Sequence, residues 1–199
     1  MYQFPKTTVK IKERIKRYER ELQKEEKKFG FISDGYGKRY LLGPLYVLMG
    51  DIEGAIKSYN WFEGEFSDDI GEPFHSLCWV FALYRSGDKT KASRKLLEMM
   101  LSNLYIIPYI LGIEQDELDI WHGSNLVMKE YMEYLPPVLV DLWDKQALDW
   151  IRDEYQRPEF QKIRSRYIEI YGQLKTEKPG PKRSQLVQEA HYLEKTRLE

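Results

Sequence analysis

The chain has one cysteine and three histidines in 199 residues. A lone Cys78 excludes an internal disulfide, and His75, His122 and His191 fall in no zinc-ligand spacing. No run of about 18 apolar residues occurs, so no segment reads as a membrane span. The first residues, Met1 to Lys6, lack the apolar stretch of a signal peptide. No segment alternates apolar and polar residues over a useful length, which argues against strands. No phosphate-binding Gly-x-x-x-x-Gly-Lys-Ser/Thr is present. Gly35-Tyr36-Gly37-Lys38-Arg39 has glycines and a lysine before a helix, but the spacing is wrong. The acidic pairs Asp68-Asp69 and Asp116-Glu117 reveal no shared cleft for paired acid–base work. No catalytic residue, metal ligand or cofactor is therefore assigned. The expectation is a cytoplasmic, non-enzymatic protein.

The chain is 42% hydrophobic and 14% aromatic, enough to bury a sizeable core. Net charge is −1, but it is unevenly spread. Residues 1–30 hold ten Lys/Arg against five Glu, net +5. Residues 101–160 hold four against twelve, net −8, and residues 161–199 nine against five, net +4. Two readings follow: solvated helix faces in a self-complementary fold, or a basic arm for an acidic partner.

Residues 7–29 read as one helix, because Ile11, Ile15, Tyr18, Leu22 and Phe29 make a narrow apolar stripe. Such a stripe packs on the body of the protein or on a second copy, so a homodimer through this helix is open. Its positive charge would favour a seat against acidic surface. Phe31 to Gly37 is a turn-rich break. Pro73 fits the first turn of a helix, with Glu72 at its positive end. Residues 103–113 form the most apolar stretch, interrupted by Pro108 and ended by Gly112. Ser124 is placed to cap a helix over about 125–135, stopped by Pro136-Pro137. A helical run follows through Leu142 to Ile151, and Pro158 opens another with Phe160, Ile163, Tyr167, Ile170 and Leu174 on one face. Residues 178–182 read as a linker before a short helix from Gln185. The fold class is all-α.

Two stretches stand in register 37 residues apart: Gly50-Asp51-Ile52-Glu53-Gly54-Ala55 and Gly87-Asp88-Lys89-Thr90-Lys91-Ala92. Leu42, Gly43 and Tyr46 precede the first, and Tyr59 and Phe62 follow it. Trp79, Val80 and Leu83, then Leu96 and Met99, occupy the matching places of the second. A period near 34–40 residues is the mark of stacked helical hairpins. Gly50 and Gly87 suit left-handed helix ends, Asp51 can cap the next helix, and Gly43, Ala55 and Ala92 are small where helices cross.

These offsets resemble the tetratricopeptide repeat over roughly residues 36–105. Val80 departs from the small residue of the pattern, and Pro44 lies inside a helix. No third copy appears near residue 124. The resemblance implies antiparallel hairpins stacked in tetratricopeptide fashion, flanked by a long N-terminal helix and a C-terminal helical region. The expected divisions are 1–35, 36–105, 106–176 and 177–199. In that family the first helix of each hairpin lines a groove. The matching positions are Tyr40, Pro44, Val47, Phe74, Leu77, Phe81, Tyr84 and Arg85. This lining is apolar and aromatic with one cation. It implies a scaffold or adaptor that takes an apolar peptide or helix, from an unknown protein or from the chain itself. The lysines and asparagines with which some members grip an acidic C-terminal tail are replaced by Tyr40, Pro44 and Cys78. Nucleic-acid binding through the basic residues 6–28 is the alternative. It is disfavoured because five glutamates sit among those cations and no aromatic platform is evident. An enzyme without a recognisable motif is the third reading.

Overall fold

The computed structural model describes residues 3–69 and 71–195. Among these residues it contains ten α-helices, two short 3-10 turns and no strand. The helices are α1 (Thr8–Phe29), α2 (Arg39–Met49), α3 (Ile52–Glu65), α4 (Pro73–Ser86) and α5 (Lys89–Ser102). They continue as α6 (Ile106–Ile110), α7 (Pro137–Val140), α8 (Lys145–Gln156), α9 (Pro158–Thr176) and α10 (Pro181–Glu194). The chain forms two compact units, Met1–Ala92 with Pro136–Leu142, and Ser93–Leu135 with Trp143–Glu199. The boundary between Ala92 and Ser93 falls inside α5.

In the first unit α2 packs on α1, α3 and α4, and α3 packs on α4. The two Gly-Asp turns join α2 to α3 and α4 to α5. Gly50 and Gly87 end α2 and α4 with φ of 79° and 88°, a region that an L side chain rarely adopts. The Asp51 carboxylate accepts the Gly54 N–H at 2.8 Å, and the Asp88 carboxylate accepts the Lys91 N–H at 3.1 Å. Each satisfies one orphan donor of the following helix. Ala55 and Ala92 are fully buried. At Gly43 a Cβ would lie 2.3 Å from the Tyr59 ring, so only glycine lets α3 approach α2 this closely. Tyr59 in turn stacks on Trp79 of α4, with ring centroids 4.9 Å apart and planes 7° from parallel. Pro44 sits inside α2 and has no N–H for the Tyr40 carbonyl one turn back.

Helix α1 begins at Thr7, whose hydroxyl accepts the Lys10 N–H, and ends at Gly30 with φ 76°. Ile11, Ile15 and Leu22 are buried. Each such side chain stabilises by about 1.5–3 kcal/mol, which the marginal isolated helix needs. The seat is α2. The polar contacts made there come from glutamates, not from the lysines that the charge distribution had suggested. Glu19 accepts the Tyr46 hydroxyl, Glu21 pairs with Lys38 at 3.4 Å, and Glu25 accepts the Asp34 N–H at 3.1 Å. Three residues of the expected stripe, Ile11, Ile15 and Leu22, are thus covered within the chain, whereas Tyr18 is half-buried and Phe29, at the last turn, is exposed.

In the second unit α9 packs on α8 and α10. Phe160, Ile170 and Leu174 are buried along α9, as their spacing predicts. Arg166 of α9 makes a two-pronged contact with Glu189 of α10 at 2.7 and 2.8 Å. Pro108 lies within the short α6, and Gly112 follows with φ 66°. Three expectations are corrected here. Residues 125–135 form two 3-10 turns, Asn125–Val127 and Lys129–Tyr134, because Met128 is extended between them and Ser124 makes no side-chain cap. Helix α10 starts at Pro181, not Gln185, since proline suits the first helical position and Arg183 closes the turn by donating to the Leu174 and Glu177 carbonyls. The expected run from Leu142 is also broken, and α8 starts after Asp144, which accepts the Ala147 N–H at 3.0 Å.

Candidate functional site

The candidate groove residues all belong to the first unit. Pro44 and Val47 of α2 are buried, and so are Phe74, Leu77, Phe81 and Tyr84 of α4. Tyr40 is half-buried and Arg85 exposed. Every residue of α4 from Pro73 to Tyr84 is buried, so the helix has no open side along that length. Two coverings are visible. Arg85 lies 5.0 Å from the Phe81 ring centre and 5.9 Å from that of Tyr84. At the other end Phe4 meets Phe74 edge-on, with centroids 6.5 Å apart and planes at 76°. Residues 3–5 turn back along α1, because Arg14 donates to the Gln3 carbonyl. The N-terminal segment therefore reaches both helices that carry the candidate positions, through α1 on α2 and through Phe4 on α4.

A polar cluster sits where α2 and α4 begin. Asp34, held at φ 41°, has a buried carboxylate that accepts the Lys38 and Arg39 N–H groups at 2.9 and 2.7 Å. These are the donors at the start of α2 that a phosphate on Gly35–Arg39 would have used. The chain's own carboxylate fills that place. The Arg39 guanidinium then bridges Asp34 to Asp69, 30 residues on, with its Nε 2.9 Å from Asp69. The Tyr40 hydroxyl donates to Asp69 at 2.6 Å, and the Gly71 N–H donates at 2.9 Å.

Burial alone would raise the Asp69 carboxyl, but the bonds from Tyr40, Gly71 and Arg39 outweigh it and hold the group below the usual carboxylate range. Burial and the same bond push the Tyr40 phenol well up. Asp69 stays ionised and Tyr40 protonated through neutral pH, so neither is poised to exchange a proton there. A shallow depression of about 520 Å³ opens beside them, lined by Arg39, Tyr40 and residues 65–69. Below it lies an aromatic cluster. The buried His75 ring has Phe62 at 4.5 Å, Tyr59 at 5.0 Å and Tyr40 at 5.9 Å. Trp61, one of four large neighbours that cannot all face inward, is half-buried and stands edge-on to Phe66. Burial pushes the Cys78 thiol up, which suits a core residue rather than a nucleophile.

Sequence reasoning missed the Asp34–Arg39–Asp69 bridge, because no local signal links charges 30 residues apart. It also missed the Phe4 contact. An apolar residue ahead of the Thr7 cap was the available hint, since residues before a helix often fold back onto it. Comparison with known proteins finds no family model, no curated protein and no solved structure that matches this chain.

Proposed function

We propose that the first unit is a non-enzymatic protein-interaction module of tetratricopeptide type, which takes an apolar peptide or helix on the face formed by α2 and α4. The contact of Phe4 with Phe74 carries this reading. It supplies a sample of the ligand: an aromatic anchor just ahead of an amphipathic helix. The buried Ala55 and Ala92, the close approach of Tyr59 to Gly43 and the two left-handed glycine ends support the hairpin assignment. The occupant of the face in the free chain is its own N-terminal segment, and a partner competes with it. A tethered segment has an effective concentration near millimolar, so a partner must exceed that advantage.

The test is a titration of the full chain with a labelled peptide copying residues 3–22, read by fluorescence anisotropy. The expected result is weak binding to the parent and tighter binding to a Phe4→Ala, Ile11→Ala variant. Binding should fall when the peptide's own phenylalanine is replaced by alanine. A peptide that binds neither protein, or that binds without regard to its phenylalanine, contradicts the proposal.

A further inference from the structure

We infer that the outer face of α1 and the loop behind it bind single-stranded nucleic acid, a function separate from the peptide-binding face. The sequence posed two objections to this idea, and the structure removes both. The first was the glutamates among the cations. The fold turns two of the five aside. Glu19 and Glu25 turn toward Tyr46 and the Asp34 N–H. Nine Lys/Arg of residues 6–28 remain exposed, against three glutamates. Lys16, Arg20, Lys24 and Lys27 follow steps of four, four and three, which places them along one line opposite the buried Ile11, Ile15 and Leu22. Lys16, Lys24 and Lys27 pair with no carboxylate among the described residues.

The second objection was the lack of an aromatic platform. Phe29, the last residue of α1, and Phe31 and Tyr36 of the loop that follows are 54%, 60% and 86% exposed. Phe29 and Phe31 lie 6.3 Å apart, Lys28 lies 4.8 Å from the Phe29 centroid, and Lys38 lies 5.3 Å from that of Tyr36. The loop that carries them is pinned. Gly30 and Gly37 take positive φ, and Asp34 is bound from both sides by Glu25 and Arg39. The rings are therefore held outward by a fixed backbone.

Exposed cations along α1, with exposed rings at and just beyond its C-terminal end, suit a polyanion with unpaired bases. Phosphates follow the lysines and bases stack on the rings. A duplex keeps its bases stacked internally and gains nothing from the rings. An interfacial membrane helix needs an apolar face toward lipid, whereas the apolar face of α1 lies on α2 and its outward face is charged.

The experiment uses the full chain and labelled oligouridylate and oligothymidylate of about 20 nucleotides, with salt varied over roughly 50–200 mM. Micromolar binding to either is expected, with a slope of log K against log salt near −3, for about four phosphates neutralised. Lys16→Gln, Lys24→Gln and Lys27→Gln together should flatten that slope by about 2. Phe29→Ala, Phe31→Ala and Tyr36→Ala together should weaken binding at least about fivefold at fixed salt while keeping the slope. All six positions are exposed, and unchanged thermal melts establish that the variants fold. Four outcomes overturn the inference: no binding at the lowest salt, equal binding by a duplex, no loss in the ring variant, or tighter binding to phosphatidylserine vesicles than to either strand.

Discussion

The two units differ in one contact of each: the aromatic crossing of α2, α3 and α4 in the first, and the ion-paired edge of α9 and α10 in the second. In the first, aromatic rings and small residues meet at close range: Gly43 admits Tyr59, which stacks on Trp79, and His75 lies among Phe62, Tyr59 and Tyr40. In the second, the contact between α9 and α10 carries charged pairs at its edge. Arg166 grips Glu189, and the Tyr167 hydroxyl donates to Glu194 at 3.1 Å. Interiors are packed like organic crystals, so a misfit in the first kind of contact has nowhere to relax. Exposed ion pairs exchange water for protein at little net gain. The first unit should therefore be sensitive to single atoms, and the edge of the second tolerant of whole side chains.

The largest expected effect is at the seat of α1. Ile15→Asp places a charge in a position that is 3% exposed, and should cost about 4 kcal/mol or more in chemical denaturation. Next is Gly43→Ala. One methyl group would stand 2.3 Å from a ring that is itself stacked and cannot withdraw, so the loss should approach the upper end of about 1–3 kcal/mol. A smaller loss would show that α2 and α3 separate easily, and would weaken the contrast with the second unit.

Asp69→Asn should be milder, about 1–2 kcal/mol at neutral pH, because charge-assisted bonds from Arg39 and Tyr40 are weakened. The sign of its pH dependence is fixed. The folded carboxyl lies below its unfolded value of about 3.9, so its contribution is present above that value and lost as pH falls through the folded pKa. The gap between parent and variant should hold from neutral down to about pH 5 and close below about pH 4. The smallest effect belongs to Arg166 and Glu189. Their side chains are 38% and 40% exposed, so a double-mutant cycle should give a coupling of no more than about 1 kcal/mol despite good geometry. A larger value would erase the distinction between the units.

What the sequence disclosed follows the same division. Local rules placed the start of α1, its buried Ile11, Ile15 and Leu22 and the glycine ends at residues 50 and 87, because each depends on a few neighbouring residues, but they also put Phe29 on that stripe, where it is exposed. The rule failed at Ser124, where an extended Met128 splits the expected helix into two 3-10 turns. Charge counting failed at α1 because it sums a helix around its circumference, whereas Glu19 and Glu25 turn toward Tyr46 and the Asp34 N–H while nine Lys/Arg stay exposed. The candidate groove positions came from the resemblance to the tetratricopeptide pattern. Their burial was not legible, because the covering residues lie far away in the chain, as Phe4 does from Phe74.

The central claim is that α1 and the residues before it form the built-in occupant of the face of α2 and α4. Hydrogen exchange of the full chain tests it most directly. Amides from Ile11 to Leu22 should be protected, and adding the peptide that copies residues 3–22 in excess should speed their exchange while α3 stays unchanged. Exchange of Ile11 to Leu22 at the rate of an unstructured chain, with no peptide added, would contradict the account.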